Sequence, residues 1–128
     1  MAAKILPDTC AWIDFFRGRP SRQAELVEAA IVQGEVVTCG MVLYELLQGI
    51  KNSGEENSVL HAFQAIKHLE MSASLWVKAG QLSARLRSNG QTLPMSDILI
   101  ATLALEHDCL IITVDRHFTL IPGITISS

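Results

Sequence analysis

Four acidic residues of this 128-residue chain stand where their carboxylates could act together. Asp8 follows the short apolar run Ile5-Leu6-Pro7, and Asp115 follows the β-branched run Leu110–Val114. Asp97 falls in the first turn of a helix announced by Pro94 and Ser96. Glu45 lies about one turn into a helix opened by Gly40, among Val42, Leu43, Leu46 and Leu47. An ionised carboxylate in such apolar company is unfavourable unless it is paired or bound to a cation. Each acid alone has a plainer explanation. Asp8 and Asp97 could cap helices, Asp115 could be a turn residue, and Glu45 could pair with Lys51 or Arg85. Taken together, they point to one site. Like charges a few Å apart repel and raise one another's pKa, and divalent cations relieve that repulsion. Oxygen ligands suit Mg²⁺ or Mn²⁺, and no Cys or His pair has zinc spacing. A hard cation held by few carboxylates keeps waters, one of which can attack phosphorus; two ions about 3.5–4 Å apart can stabilise both attacking and leaving oxygens. The expected chemistry is phosphodiester hydrolysis.

The elements that must position these acids follow from the pattern of apolar residues. Ile5-Leu6 reads as a strand broken by Pro7-Asp8-Thr9, with Asp8 or Thr9 capping a helix to Phe16 that Gly18 and Pro20 stop. Ser21 precedes a helix whose Ala24, Leu26, Val27, Ala30 and Ile31 recur at helical spacing, closed by Gly34. Val36–Cys39 is a strand, followed by a helix to about Ile50. Ser53 is expected to cap a helix to about Lys67, with a short edge strand at Leu69–Met71. Ser72 begins a long helix that Asn89-Gly90 ends, and a further helix runs from Pro94 to about His107. Leu110–Val114 is the clearest buried strand, and Ile124–Ile126 is a last short one. Strands alternating with amphipathic helices imply an α/β fold, a three-layer α/β/α arrangement with a short, mainly parallel central sheet. In such sheets sites form beyond the carboxyl ends of the strands, which is where all four acids fall.

Length fits a single domain spanning 1–128, since two would each bury too little core. Hydrophobic residues are 49% and charged residues 18%, which excludes a disordered chain. A net charge of -3 excludes binding to nucleic acid by bulk positive charge. Four acids concentrated in one crevice would account for that excess, leaving the rest nearly balanced between its other acids and its 10 bases. Cys10, Cys39 and Cys109 are widely spaced and read as reduced, mostly buried thiols. No secretory leader and no apolar run of membrane length is visible, so a cytoplasmic protein with no membrane association is expected.

The residues also carry a family pattern. Leu6-Pro7-Asp8-Thr9 and Val42-Leu43-Tyr44-Glu45-Leu46 resemble the first two acidic motifs of PIN-domain nucleases. Leu86 to Ala101, with Gly90, Pro94 and Asp97, resembles the third, and Thr113-Val114-Asp115-Arg116-His117-Phe118 the fourth. Any one motif is weak, but four in order across nearly the whole chain are specific. Size and the Gly90/Pro94/Asp97 arrangement are most similar to VapC toxins of type II toxin–antitoxin pairs. The resemblance implies an endoribonuclease dependent on Mg²⁺ or Mn²⁺, usually a homodimer, inhibited by a small antitoxin whose tail occludes the acidic pocket. It assigns Asp8, Glu45, Asp97 and Asp115 as the catalytic, metal-holding quartet, with Thr9 and Thr113 at hydroxyl positions that orient carboxylates or waters. Pro7 departs from the aliphatic residue usual before the first Asp and lacks a ladder N–H.

Other residues are weighed beside these. Arg17, Arg19 and Arg22 could meet phosphates or an antitoxin, or form a solvated loop. Arg87 and Arg116 are candidate RNA contacts, and a general-base role for His117 is open although a metal-bound water needs none. Trp12, Phe15, Phe16 and Trp76 read as core or interface; with aromatic residues at 5%, a stacking platform for RNA is not expected. A PIN nuclease of RNA processing outside toxin biology is the nearest alternative. A non-catalytic receiver-like module would need a central Asp where Thr38-Cys39-Gly40 stands and a late Lys that is absent. A haloacid-dehalogenase-like phosphatase would need Asp where Cys10 stands.

Overall fold

The computed structural model describes residues 4–127. Five strands alternate with six helices: β1 (Lys4–Pro7), α1 (Thr9–Phe16), α2 (Arg22–Gln33), β2 (Val37–Cys39), α3 (Gly40–Gln48) and α4 (Ser53–Gln64), then β3 (Lys67–Leu69), α5 (Ala73–Ser88), α6 (Met95–His107), β4 (Cys109–Ile112) and β5 (Thr125–Ser127). A 3₁₀ turn, Arg116–Leu120, lies between β4 and β5. All pairings are parallel: β1 with β4, β4 with β5, and β2 with β3. A single bridge, Ile5 to Val36, joins the two ladders, giving the spatial order β3-β2-β1-β4-β5. The chain therefore moves outward from β1 in one direction, then returns to its other side. Parallel crossovers are right-handed, so connections running in opposite directions place their helices on opposite faces. The result is the three-layer α/β/α arrangement, with its topological switch between β1 and β4.

Local signals account for most boundaries. Ser21 Oγ accepts from Ala24 N–H to start α2, and Gly34, at φ 71°, ends it in the left-handed conformation that glycine adopts without strain. Ser72 Oγ caps α5 through Leu75 N–H. At the other end of α5 the Gln91 N–H returns to the Leu86 carbonyl at 2.8 Å, a turn that directs the chain towards α6. Pro7 does not interrupt β1, because it pairs opposite Ile112 and the next residue, Asp8, donates its N–H to the Ile112 carbonyl at 3.0 Å.

Several expectations require correction. Asn52, not Ser53, caps α4 by accepting from Glu55 N–H, and that helix ends at Gln64. The edge strand falls at Lys67–Leu69 rather than 69–71, because Cys39 at the end of β2 pairs with Leu69. The strand expected to reach Val114 ends at Ile112, and the last strand is shifted one residue, to Thr125–Ser127. Trp76, read as core or interface, is 51% exposed, which excludes the core alternative.

The core sits between sheet and helices. Trp12 is fully buried, stacked on Phe16 at 5.5 Å and edge-on to Phe15 and Phe63, which ties α1 to α4. α6 is buried on nearly every side, from Asp97 through Ala104. A helix apolar all round belongs in an interior, and this one carries Asp97 into it. No helix among the described residues is long and apolar enough to cross a membrane.

Candidate active site

The strands bring the acids to one edge. Asp8 is the residue after β1 and Asp115 lies three beyond β4; as β1 and β4 are neighbours, both reach the crevice at the switch point. Asp97 arrives from the first turn of α6 and Glu45 from the middle of α3. Asp8, Glu45, Asp97 and Asp115 line one open cavity of about 360 Å³, together with Thr9, Cys10, Ile13, Ile100 and Val114.

Asp8 is the most constrained member. It is 6% exposed, and both its oxygens are engaged. Oδ1 accepts from Ala11 N–H at 3.1 Å, capping α1, and from the Cys10 thiol at 2.9 Å. Oδ2 accepts from the buried Thr113 hydroxyl. The Thr113 oxygen accepts in turn from Asp115 N–H at 2.9 Å, so one hydroxyl ties the first acid to the backbone of the last. Burial raises the Asp8 carboxyl above its usual value, against the lowering effect of these hydrogen bonds. The Cys10 thiol is pushed up to about 12, first by its own burial and then by Asp8, so it stays protonated and donates.

Asp97 is 8% exposed, and burial also raises its carboxyl, with the charges of Asp115 and Asp8 adding to the effect. His117 opposes it: Nδ1 lies 3.1 Å from Asp97 Oδ2 and 3.2 Å from Asp115 Oδ1. Asp115 Oδ1 also accepts from His117 N–H at 2.9 Å, capping the 3₁₀ turn. One ligand atom each from Asp97, Asp115 and His117 lies within 4.8 Å of the others. Glu45, half-buried, accepts from the Thr9 hydroxyl at 2.6 Å. Neither Lys51 nor Arg85 pairs with it; among the described residues it has no ion pair.

The capping and site readings are thus not exclusive: Asp8 and Asp115 each cap a helix with one oxygen while facing the crevice. Arg87, at the C-terminal turn of α5, and Arg116 are exposed and do not line the cavity. Cys10 supports Asp8, and nothing in a lone thiol two residues on signals this. His117, for which a general-base role was open, contacts both Asp97 and Asp115 beside the crevice without lining the cavity.

A second cavity of about 270 Å³ adjoins the first. Ile13, Phe16, Leu46, Ile50 and Val59 give it an apolar floor between α1, α3 and α4, with Arg17 and Glu55 also on its wall. Ile13 and Glu45 line both cavities.

Fold and crevice together define a doubly wound α/β domain with a carboxylate-lined site at its topological switch. The chain belongs to the PIN domain family, whose model matches residues 5–124. PIN domains are metal-dependent nucleases, and this chain is an enzyme of that class. Ribonuclease VapC19 of Mycobacterium tuberculosis is 31% identical over 121 residues, covering 93% of this chain and 95% of the relative. Ribonuclease VapC11 of the same organism is 26% identical over 125 residues, covering 94% and 93%. The fold is also similar to that of DNA-bound VapBC from Salmonella typhimurium, with a TM-score of 0.80, 24% identity and 98% of each chain covered. VapBC2 from Rickettsia felis, bound to a promoter DNA fragment, gives a TM-score of 0.80 at 21% identity over 96% of each chain.

The donor set fits the divalent cation that the family requires. Two carboxyls raised by burial, and a third within reach of both, face a cavity into which no Lys or Arg projects among its lining residues. Such a group of charges is costly unless a cation completes it.

Proposed function

We propose that this chain is an endoribonuclease and the toxin of a type II toxin–antitoxin pair, acting as a single unit over 1–128. The observation that carries the reading is the meeting of Asp8, Glu45, Asp97 and Asp115 in one crevice at the sheet's switch point. The names of the curated relatives, ribonucleases of the VapC type, support RNA as substrate. These four carboxylates would hold Mg²⁺ or Mn²⁺, whose oxygen preference they match. The cation, when bound, supplies positive charge and Lewis acidity for displacement at a phosphodiester.

The chain's own residues do the positioning. Thr113 fixes the Asp8 carboxylate and the Asp115 backbone at a set separation. Thr9 orients Glu45 on the opposite wall. α6 presents Asp97 from a buried helix, so the cation would meet a preformed set of oxygen ligands. Because the crevice walls are acidic, the apoprotein repels the RNA backbone, and substrate binding follows cation binding.

The apolar cavity beside the site supports inhibition by an antitoxin segment. Apolar side chains seated on Phe16, Leu46 and Val59 would carry a following basic residue towards Glu45 and the acidic crevice. A homodimer and residence in the cytoplasm belong to the same reading.

The test is cleavage of RNA by purified chain with Mg²⁺ or Mn²⁺, after exhaustive chelation, and with Asp97→Asn. Cleavage that needs the cation and vanishes in the variant supports the proposal. Cleavage surviving chelation, or equal in the variant, refutes it.

A further inference from the structure

His117 does not belong to the acidic quartet, yet its Nδ1 lies beside the crevice within 3.2 Å of a carboxylate oxygen of both Asp97 and Asp115. Phe118, 1% exposed, anchors the 3₁₀ turn in the core, and Asp115 caps the turn through His117 N–H. These two contacts fix the backbone on either side of the imidazole and aim it at Asp97 and Asp115. Its side chain is 50% exposed, so it keeps contact with solvent and is not packed away. The other three histidines lie on α4, on β3 and at the end of α6, and among the described residues none of them contacts a crevice acid.

Nδ1 is within hydrogen-bond distance of a carboxylate oxygen from each of two elements. One N–H can serve one of these acceptors well; the other is left facing a nitrogen it cannot share. A divalent cation satisfies all three, taking one oxygen from each acid and the lone pair of the neutral imidazole. The Nδ1 to oxygen distances of 3.1 and 3.2 Å are those of neighbouring donors around one ion with bonds of about 2 Å.

Resting on the reading of the crevice as a cation site, we propose that His117 is a further ligand, and that its nitrogen makes the site favour Mn²⁺ over Mg²⁺. The chemistry behind this is ligand type. Mg²⁺ takes oxygen donors and gains little from an imidazole, whereas Mn²⁺ and the later first-row ions accept nitrogen, with affinity rising along the series. A quartet of carboxylates alone would discriminate weakly; a fifth donor of different character adds selectivity without altering the acids. The chain then works best with Mn²⁺, and Zn²⁺ or Ni²⁺ compete for the same position.

The test is pulsed electron paramagnetic resonance of Mn²⁺ bound to the purified full-length chain, with Mg²⁺ competition measured in the same samples. Three variants accompany the wild type. H117A removes the side chain, H117Q keeps an amide that can donate to Asp97, and D97N removes an acid. Expected is ¹⁴N modulation from a coordinated imidazole in the wild type, absent in H117A and H117Q. The Mn²⁺ over Mg²⁺ preference should fall about tenfold in both, the size of effect that partners of metal ligands have on affinity. Mn²⁺ bound without ¹⁴N modulation, or a preference unchanged in H117Q, overturns the role of His117 and leaves the acidic site standing. Failure of the wild type to bind Mn²⁺, or binding unaffected by D97N, overturns the site itself.

Discussion

On the strand side of the crevice, Asp8 is 6% exposed, with both oxygens hydrogen-bonded and a buried threonine behind it. Further out, Asp115 and His117 sit at the start of a 3₁₀ turn at the surface, held by a cap and one anchoring phenylalanine. Asp97, carried by a buried helix, is where the two sides meet. The buried side is preorganised at the cost of desolvating a carboxylate, and its geometry does not depend on a ligand being present. The outer side retains solvent and freedom to adjust, which suits groups that choose and exchange a cation. Substitutions should therefore separate: inner residues set whether the site works, and outer residues set what it works with.

The largest effect is expected from the acids themselves. Asp97→Asn should reduce RNA cleavage by roughly 10³-fold, equivalent to about 4 kcal/mol of transition-state stabilisation. The metal-free variant should melt no lower than the wild type at neutral pH, because it no longer buries a charge; a large drop in melting temperature would assign Asp97 to structure instead. Next comes Thr113→Val. It leaves Asp8 Oδ2 and Asp115 N–H without their shared partner, costing about 1–3 kcal/mol of stability. It should also weaken cation affinity by about 10–100-fold, measurable by titration calorimetry. Thr9→Val acts only through Glu45 on the open wall, and should lower cleavage by about tenfold with little change in stability.

pH separates the two sides as well. Asp8 and Asp97 have folded-state values raised above the usual 3.8, chiefly by burial. A carboxyl raised on folding favours the fold while protonated. The contribution of these two carboxyls to metal-free stability is therefore full below the usual value and lost as pH rises through the raised ones. Saturating Mg²⁺ or Mn²⁺ should abolish that loss. Thermal melts of the wild type and Asp97→Asn from pH 4 upward, with and without cation, provide the check; a metal-free wild type that gains stability relative to the variant as pH rises would contradict it. The smallest effects belong to Arg87→Ala and Arg116→Ala. If either meets a phosphate of single-stranded RNA, its loss should reduce the salt dependence of binding by about 0.7 in logarithmic slope, leaving the chemical step intact.

The acids were legible because each sits at a boundary that sequence marks well: the end of an apolar strand, or the first turns of a helix after Gly or Pro. Strand order was less so. The alternation of elements implies a parallel sheet, but only the bridge from Ile5 to Val36 shows that β2 joins β1 on the side away from β4. β3 was misplaced because its residues, Lys67 and His68, are polar and its position is set by pairing with β2 rather than by its own hydrophobicity. Trp76 shows the converse, a large apolar residue at helical spacing that the fold leaves outside. The family pattern placed a hydroxyl at Thr113, but its contact with Asp8, 105 positions away, follows only once β1 and β4 are paired. The Cys10 thiol on Asp8 carries no sequence signal of its own.

The central claim is that one divalent cation site is formed by acids from four separate elements. Anomalous scattering from crystals grown with Mn²⁺ tests it most directly. A peak is expected in the switch-point crevice within coordination distance of Asp97 and Asp115, with Asp8 and Glu45 bounding the same pocket. Full Mn²⁺ occupancy at a different face, or a crevice that stays unoccupied while the crystallised protein cleaves RNA, would contradict it.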